Sequence, residues 1–307
     1  MQDGSEAQQP GRRPDFLLIG AMKAGTSTLH DTLARHPGLF LSTPKEPQFF
    51  SRDEVFARGF AWYEGLFEAA GERPCGESST CYSRWPHHGE VAERIAAHLP
   101  DVRLIYQMRH PVERAYSHYR HLMQERIARD VGDLPSFEEM LEEDAEILDA
   151  SRYMQQIERF LAHYPRERFF FLLLEDLERE PDHTLGELQR FLGVPVRDLV
   201  ASGPVHSNRF GDKLAIRDMH RWLTRVSRSP WFAPLVPLFA PGLRARVRRR
   251  LTDLRVARRV MGAGARAHGA AIGPLRPETR ARLVATLRDD NARLASFLGR
   301  DLAPWNA

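Results

Sequence analysis

Short apolar runs alternate with amphipathic segments along the first 200 residues. Segments that predict strands are residues 16–19, 39–41, 74–78, 102–108 and 168–174. The first predicted helix begins at Thr26, and the other predicted helices cover residues 91–99, 111–129, 136–148, 151–163 and 185–192. An apolar run without polar alternation indicates a strand buried on both faces, as in parallel sheets. The pattern therefore predicts an α/β three-layer sandwich with a central, mostly parallel sheet of about five strands.

Composition supports one domain of this kind. The chain has 307 residues, of which 42% are hydrophobic, enough for a sizeable core. We expect residues 1–14 to be a disordered tail and residues 15–307 to form a single domain, with a basic, helical extension from about residue 210. No apolar run approaches the roughly 18 residues that cross a bilayer. Cys75 and Cys81 match neither a disulfide framework nor a zinc site, so the expected location is cytoplasmic.

The first predicted strand runs into a short loop bracketed by Gly20 and Gly25, and a helix opens at Thr26. A strand, a glycine-bracketed loop and a helix N-terminus together form an anion site, and Lys23 adds a full charge. The Gly-x-x-x-x-Gly spacing is P-loop-like, but Thr26 stands where a nucleotide triphosphatase has its lysine. The loop therefore predicts phosphate binding without ordinary ATP hydrolysis, and an ordinary βα turn remains the alternative.

A second polar stretch follows the fourth predicted strand. Arg109 leaves the end of that strand, and Ser117 lies two helical turns later. A guanidinium and a hydroxyl so placed can hold one further phosphate. Arg114 is expected to be a structural partner for an acid such as Glu113 or Glu175. Taken alone, the Arg-His-Pro sequence fits a plain helix start equally well.

Together, residues 20–28 (GAMKAGTST) and 109–117 (RHPVERAYS) resemble the motifs of sulfotransferases that use 3′-phosphoadenosine 5′-phosphosulfate (PAPS). The nearest likeness is to the heparan-sulfate-type and related bacterial carbohydrate or small-molecule sulfotransferases, which carry a Glu-x-x-Phe-Phe segment, here residues 46–50. The resemblance covers roughly residues 15–210. It implies PAPS as cosubstrate and adenosine 3′,5′-bisphosphate as product. No metal-ligand cluster is evident in the sequence, and direct transfer needs no metal.

The resemblance also assigns roles to individual residues. It implies that the 5′-phosphosulfate is bound by Lys23, Ala24, Gly25, Thr26, Ser27 and Thr28. It implies that the 3′-phosphate is bound by Arg109 and Ser117, and that Tyr153 and Arg209, the latter in a late loop over residues 208–213, lie at the nucleotide. Lys23 is also expected to be catalytic, because it can neutralise the negative charge that builds on the leaving phosphate.

The acceptor side of the site is expected to centre on Glu46. The acceptor needs a general base, and the Glu46 loop is expected beside the transferred group; a solvated loop carboxylate is the alternative. His30 and His36, in or at the end of the first helix, rank below it. Lys45 is expected to pair with Glu46 or to touch an anionic acceptor. Ser78 is a further substrate-binding candidate, but heparan-type enzymes have lysine there, which weakens a specific heparan assignment.

Positive charge is concentrated late in the chain. Residues 206–261 carry fourteen Arg and Lys against three Asp, which indicates either an anionic partner or a solvated basic helix. Residues 231–239 are apolar and precede an arginine-rich run. Residues 229–260 are therefore predicted to form an acceptor-side lid or a peripheral membrane contact, with packing against the core as the alternative.

These patterns favour a sulfotransferase acting on a carbohydrate, lipid or small-molecule acceptor. Two other classes stay open. A P-loop kinase would need a lysine at Thr26 and a magnesium-binding acid after a strand. A basic nucleic-acid-binding protein would use residues 244–259 to track phosphates, and its affinity would fall steeply with salt. No nucleic acid partner is expected.

Overall fold

A computed structural model describes residues 11–129, 131, 133–200 and 272–306. Its centre is a five-stranded sheet in the order β2-β3-β1-β4-β5, and all its strands pair in parallel. The strands are β1 Phe16–Gly20, β2 Phe40–Leu41, β3 Cys75–Ser78, β4 Arg103–Met108 and β5 Phe169–Leu173. The predicted sheet is confirmed. The connection after β1 leads to β2 on one side of β1, whereas the connection after β3 leads to β4 on the other side. In open parallel sheets, such a change of direction leaves a crevice at the carboxyl ends of the strands.

The sheet is covered on both faces. In β1, Leu17 and Ile19 enter one apolar cluster, whereas Phe16 and Leu18 enter the other. The second cluster includes Leu29 from the first helix, which confirms the predicted three layers. Burial on both faces explains why these strands are continuous apolar runs.

Each predicted helix has a counterpart in the predicted order, but several ends differ and further helices lie among them. Their bounds are α1 Thr26–Leu33, α2 Asp53–Phe56, α3 Phe60–Gly65, α4 Val91–His98, α5 Pro111–Ala128, α6 Phe137–Glu143, α7 Glu146–Asp149, α8 Tyr153–Leu161, α9 Leu174–Arg179, α10 Pro181–Leu192 and α11 Pro277–Leu298. The predicted helix over 136–148 is two helices. Between them the Asp144 carboxylate accepts the Glu146 N–H at 3.0 Å, and such local bonds compete with helix continuation.

Residues 11–14, the last part of the predicted tail, lie among the described residues and contact the folded part. The Gly11 N–H donates to Glu64 Oε2 at 3.0 Å, and Arg13 Nε lies 2.7 Å from Glu64 Oε1. Arg13 also donates to the carbonyl of His98 at 3.1 Å. Residues 11–14 are thus tied to the folded part by charge-assisted bonds to a partly buried carboxylate, and residues 1–10 lie outside the described residues.

The described residues fall into two compact units. The first holds the sheet and comprises residues 11–118, 140–200 and 277–306. The second comprises residues 119–129, 131, 133–139 and 272–276, and within it the Tyr119 hydroxyl donates to the Pro135 carbonyl at 3.0 Å. Arg209, the basic segment 206–261 and the contact surface 229–260 lie outside the described residues and stay predictions. None of the helices within the described ranges is long and apolar enough to cross a bilayer.

Candidate functional site

The loop between β1 and α1 has the geometry of an anion site. Gly25 has φ +95°, and a Cβ there would lie 3.0 Å from both Gln107 Nε2 and Leu174 Cδ1. Glycine is therefore required on conformational grounds. The Thr28 and Leu29 N–H groups donate to the Gly25 carbonyl, which starts α1. Amides that precede these bonds have no helical acceptor and, with the helix dipole, favour an anion in front of them.

Arg109 brings positive charge to this loop from the end of β4. Its Nη1 lies 3.5 Å from the Lys23 carbonyl oxygen. Its Nε is buried and has no hydrogen-bond partner within the described part of the chain. Ser117 is half-buried on α5, two turns after the helix begins. The structure thus joins the two predicted phosphate-binding stretches at the crevice beside β1.

The Tyr153 side chain makes hydrogen bonds to the main chain of Arg109. Its hydroxyl donates to the Arg109 carbonyl at 2.8 Å and accepts the Arg109 N–H at 3.5 Å. The side chain is fully buried, with Tyr106 and Trp305 packed against its ring. Burial raises the pKa of this phenol, so it stays a neutral donor. Tyr153 is therefore placed to position Arg109, and a direct contact with a nucleotide stays a prediction.

The prediction that Arg114 pairs with an acid was wrong. Its fully buried guanidinium donates to three oxygens, which are Ser151 Oγ at 2.6 Å, Met22 O at 3.4 Å and Ile147 O. Glu113 pairs instead with Arg280, and Glu175 accepts the main-chain N–H of His110. Burial lowers the pKa of Arg114 to about 10, so it remains charged. Its role is to tie the β1–α1 loop to the α7 region.

Lys45 connects the candidate base to the helix N-terminus. Its Nζ lies 2.7 Å from Ser27 Oγ, in the first turn of α1, and 3.3 Å from Glu46 Oε1. The predicted pairing of Lys45 with Glu46 is confirmed. Both side chains are partly exposed, Lys45 at 24% and Glu46 at 34%, so each can still reach a ligand. The Glu46 carboxylate is thereby held beside the anion site.

The His30 and His36 side chains make hydrogen bonds to residues other than Glu46. His30 Nδ1 lies 2.8 Å from Ser78 Oγ, and burial, followed by the charge of Lys45, lowers the His30 pKa to about 4. His36 lies with Nε2 2.9 Å from the Pro195 carbonyl. This geometry supports ranking both below Glu46. Ser78 is itself buried, so its contact with a substrate stays a prediction.

Glu77 is a site residue that sequence reasoning did not single out. It lies in β3 next to Ser78, the last residue of the strand, and it is fully buried. Its carboxylate accepts hydrogen bonds from the hydroxyls of Tyr82 at 2.6 Å and Tyr63 at 3.3 Å. Burial raises the pKa of Glu77 to about 7; the Tyr82, Ser79 and Tyr63 hydroxyls oppose the rise, and the Glu46 charge adds to it. The available signal was an acid inside the predicted strand over residues 74–78, because acids are seldom fully buried.

Glu77 and His30 predict opposing effects of pH on stability. The folded-state pKa of Glu77 is about 7 against an ordinary 4.5, so ionisation destabilises the fold as pH rises through that window. His30 falls from 6.5 to about 4, so the fold gains stability as pH rises through its window. Between about pH 5 and about pH 8, the two effects on the free energy of unfolding nearly cancel in the wild type. Glu77→Gln keeps only the His30 effect, so its free energy of unfolding is expected to rise by about 2 kcal/mol over the same range. Urea unfolding at both pH values measures this, and identical pH dependence in the two proteins would contradict it.

Metal ligation has no candidate within the described ranges. No group of three or more His, Cys, Asp or Glu residues there is arranged to hold an ion. Cys75 and Cys81 are both buried free thiols, and burial raises the pKa of each to about 12.

Comparison with known proteins places this chain in a family. The family model described as a sulfotransferase domain matches residues 13–208, which include the β1–α1 loop, Glu46 and Arg109. The chain belongs to the sulfotransferase family. The resemblance noted from the two motifs is confirmed. A crystal structure of a sulfotransferase from Alicyclobacillus acidocaldarius superposes with a TM-score of 0.63 at 25% identity, covering 96% of this chain and 100% of that one.

Curated sulfotransferase relatives match the same part of the chain. The mouse (Mus musculus) heparan sulfate glucosamine 3-O-sulfotransferase 6 is 30% identical over 200 residues, covering 61% of this chain and 55% of that protein. The human (Homo sapiens) bifunctional heparan sulfate N-deacetylase/N-sulfotransferase 3 is 29% identical over 200 residues, covering 60% of this chain and 22% of that protein. The chain therefore spans about half, or less, of the length of these relatives.

Proposed function

We propose that this protein transfers a sulfuryl group from PAPS to a hydroxyl or amine of a carbohydrate, lipid or small-molecule acceptor, releasing adenosine 3′,5′-bisphosphate. The observation that carries the proposal is the position of Arg109, with Nη1 3.5 Å from the Lys23 carbonyl and a buried Nε that lacks a partner among the described residues. A donor with anionic groups on both its 5′ and 3′ sides needs two adjacent cationic sites. The β1–α1 loop and Arg109 supply them.

The loop is suited to the 5′-phosphosulfate. First-turn amides of α1 and the Lys23 side chain offer charge and donors to its oxygens. Ser27 adds a hydroxyl at the same turn, already within 2.7 Å of Lys45 Nζ. Arg109, with Ser117 farther along α5, is suited to the 3′-phosphate. This division explains how the loop can bind the donor without a lysine at position 26, because a second site binds the 3′-phosphate of the same donor.

In-line transfer assigns each group one task. As the acceptor oxygen or nitrogen bonds to sulfur, its proton passes to the Glu46 carboxylate. The bond between sulfur and the bridging phosphate oxygen breaks, and its electron pair stays on that oxygen. Lys23 stabilises this growing negative charge. Lys45 holds Glu46 through the 3.3 Å contact and places its own ammonium at the helix N-terminus, near the transferred group.

The site favours this function over the two alternatives. A kinase would use a lysine at position 26, where the chain has threonine. A nucleic-acid-binding protein would not need a carboxylate held at the anion loop by a lysine. The relatives' names specify heparan sulfate, but Ser78, buried against His30, stands where the heparan-type lysine is expected. The site therefore supports a carbohydrate, a lipid or another small molecule as the acceptor.

Ligand-induced stabilisation tests the donor assignment. Adenosine 3′,5′-bisphosphate is expected to raise the Tm of the full chain more than ATP or duplex DNA does, because only ligands of the native state shift the transition upward. Arg109→Ala is expected to weaken bisphosphate affinity about tenfold to a hundredfold, the loss for one or two hydrogen bonds to a charged group. Differential scanning fluorimetry and calorimetric titration measure both effects.

The control is Arg190→Ala, which removes an exposed arginine paired with Glu187 on α10 and should leave bisphosphate affinity unchanged. Stronger stabilisation by ATP would favour the kinase, and salt-sensitive stabilisation by DNA would favour the nucleic-acid-binding protein. Wild-type bisphosphate affinity in a folded Arg109→Ala protein would refute the assignment of Arg109.

A further inference from the structure

The segment that carries Glu46 is hydrogen-bonded to β3 and to the turn after it. We call residues 44–51 the Glu46 loop. Three hydrogen bonds donated by main-chain N–H groups hold it, namely Ser78 N–H to Lys45 O at 3.3 Å, Gln48 N–H to Ser79 Oγ at 3.0 Å and Phe50 N–H to Tyr82 Oη at 3.4 Å. The position of Glu46 therefore depends on residues that do not themselves reach the acceptor.

One of these bonds depends on Glu77. The Tyr82 hydroxyl donates its single proton to Glu77 Oε1 at 2.6 Å. With that proton committed, the lone pairs of the hydroxyl oxygen are left to accept the Phe50 N–H. A carboxyl oxygen that carries no proton can only accept hydrogen bonds, so Glu77 Oε1 sets the direction of this two-step chain.

Glu77 reaches the same loop by a second route. The Tyr63 hydroxyl donates to Glu77 Oε1 at 3.3 Å. The Tyr63 ring stacks on Phe49 with centroids 4.4 Å apart and planes inclined by 10°. Phe49 and Phe50 are themselves fully buried. One carboxylate thus fixes two tyrosines, and each tyrosine holds one of the consecutive phenylalanines that follow Glu46.

We propose that Glu77 is a positioning residue for the transfer reaction, which holds Glu46 in place through Tyr82 and Tyr63. The inference rests on the proposed function, because it takes Glu46 as the general base. Glu77 is fully buried and cannot touch the acceptor, so its effect is relayed by the loop. A buried carboxylate is costly, and replacing such a group with an apolar residue is often neutral or stabilising where only the fold depends on it.

The test is a double-mutant cycle in the full chain. Tyr82→Phe keeps the ring but removes both the bond to Glu77 and the acceptor for Phe50 N–H. We expect kcat to fall about tenfold to a hundredfold, as small misplacements of a reacting group do, with bisphosphate affinity unchanged. Glu77→Gln should lower kcat in the same direction. In a Glu46→Gln background the effect of Tyr82→Phe should shrink to less than about twofold, because a loop without its base no longer needs exact placement.

Tyr164→Phe is the matched control, since Tyr164 is also buried and donates its hydroxyl to a carbonyl, that of Leu99 at 2.8 Å. It should leave kcat unchanged. Equal losses from Tyr82→Phe in both backgrounds, or no loss in the wild-type background, would overturn the positioning role. Wild-type turnover in Glu46→Gln would instead refute Glu46 as the base, so failure of the proposed function is seen separately. If Glu77→Gln does not fold, the Tyr82→Phe cycle still decides.

Discussion

Replacing Glu46 with glutamine is expected to lower turnover by about a hundredfold or more, the scale of a lost general base. The amide keeps the size of the side chain, and its oxygen can still accept the bond from Lys45 Nζ, now 3.3 Å from Oε1. It cannot take up the acceptor proton. Affinity for adenosine 3′,5′-bisphosphate should stay at the wild-type value, because Glu46 has no part in holding the phosphates. Steady-state turnover with PAPS and calorimetric titration with the bisphosphate measure the two quantities.

Glu54→Gln is the control for this experiment. Glu54 is an exposed acid on α2 whose carboxylate pairs with Arg52, so the variant removes a salt-bridged charge away from the anion loop. It should behave as the wild type. If Glu46→Gln turns over within about twofold of the wild type, the base lies elsewhere, and His30 or an unassisted acceptor becomes the better explanation.

Lys23→Ala should produce a comparably large loss by a different route. Its charge acts most strongly when the leaving oxygen becomes negative, so kcat should fall by about a hundredfold to a thousandfold. Bisphosphate affinity should fall much less, since the loop amides and Arg109 remain. The contrast with Arg109→Ala, which should act mainly on binding, is read from kcat and bisphosphate affinity measured in parallel. A Lys23→Ala protein that loses only affinity would reverse the two assignments.

The sequence predicted what local patterns determine. The run over residues 102–108 is uninterrupted by charge after Arg103, and the structure places β4 at Arg103–Met108. The spacing from Gly20 to Gly25 likewise predicted the loop and the start of α1. Such features depend on neighbours in the chain, which the sequence displays.

The hydrogen-bond partners of buried polar groups could not be predicted from the sequence. Arg114 was assigned to an acid, yet its acceptors are a hydroxyl and two main-chain carbonyls, one of them 92 positions away at Met22. Carbonyls are present at every residue, so no pattern marks the one that is used. Glu77 was hidden for a similar reason, because it begins a polar run, residues 77–80, that is typical of an exposed turn. Only the sheet order, with β3 enclosed between β1 and β2, buries it.

The contact of Lys45 Nζ with Ser27 Oγ has a practical consequence for chemical labelling. Only three of the 44 lysine and arginine residues in the chain are lysines, namely Lys23, Lys45 and Lys213. Two of these three primary amines therefore belong to the anion loop or touch it. Arginine is not acylated under the mild conditions that modify lysine, so an amine-directed reagent has Lys213 as its one further lysine target, and peptide mass spectrometry reads each lysine separately. Its reactivity toward the two residues gives a direct view of how the loop is occupied.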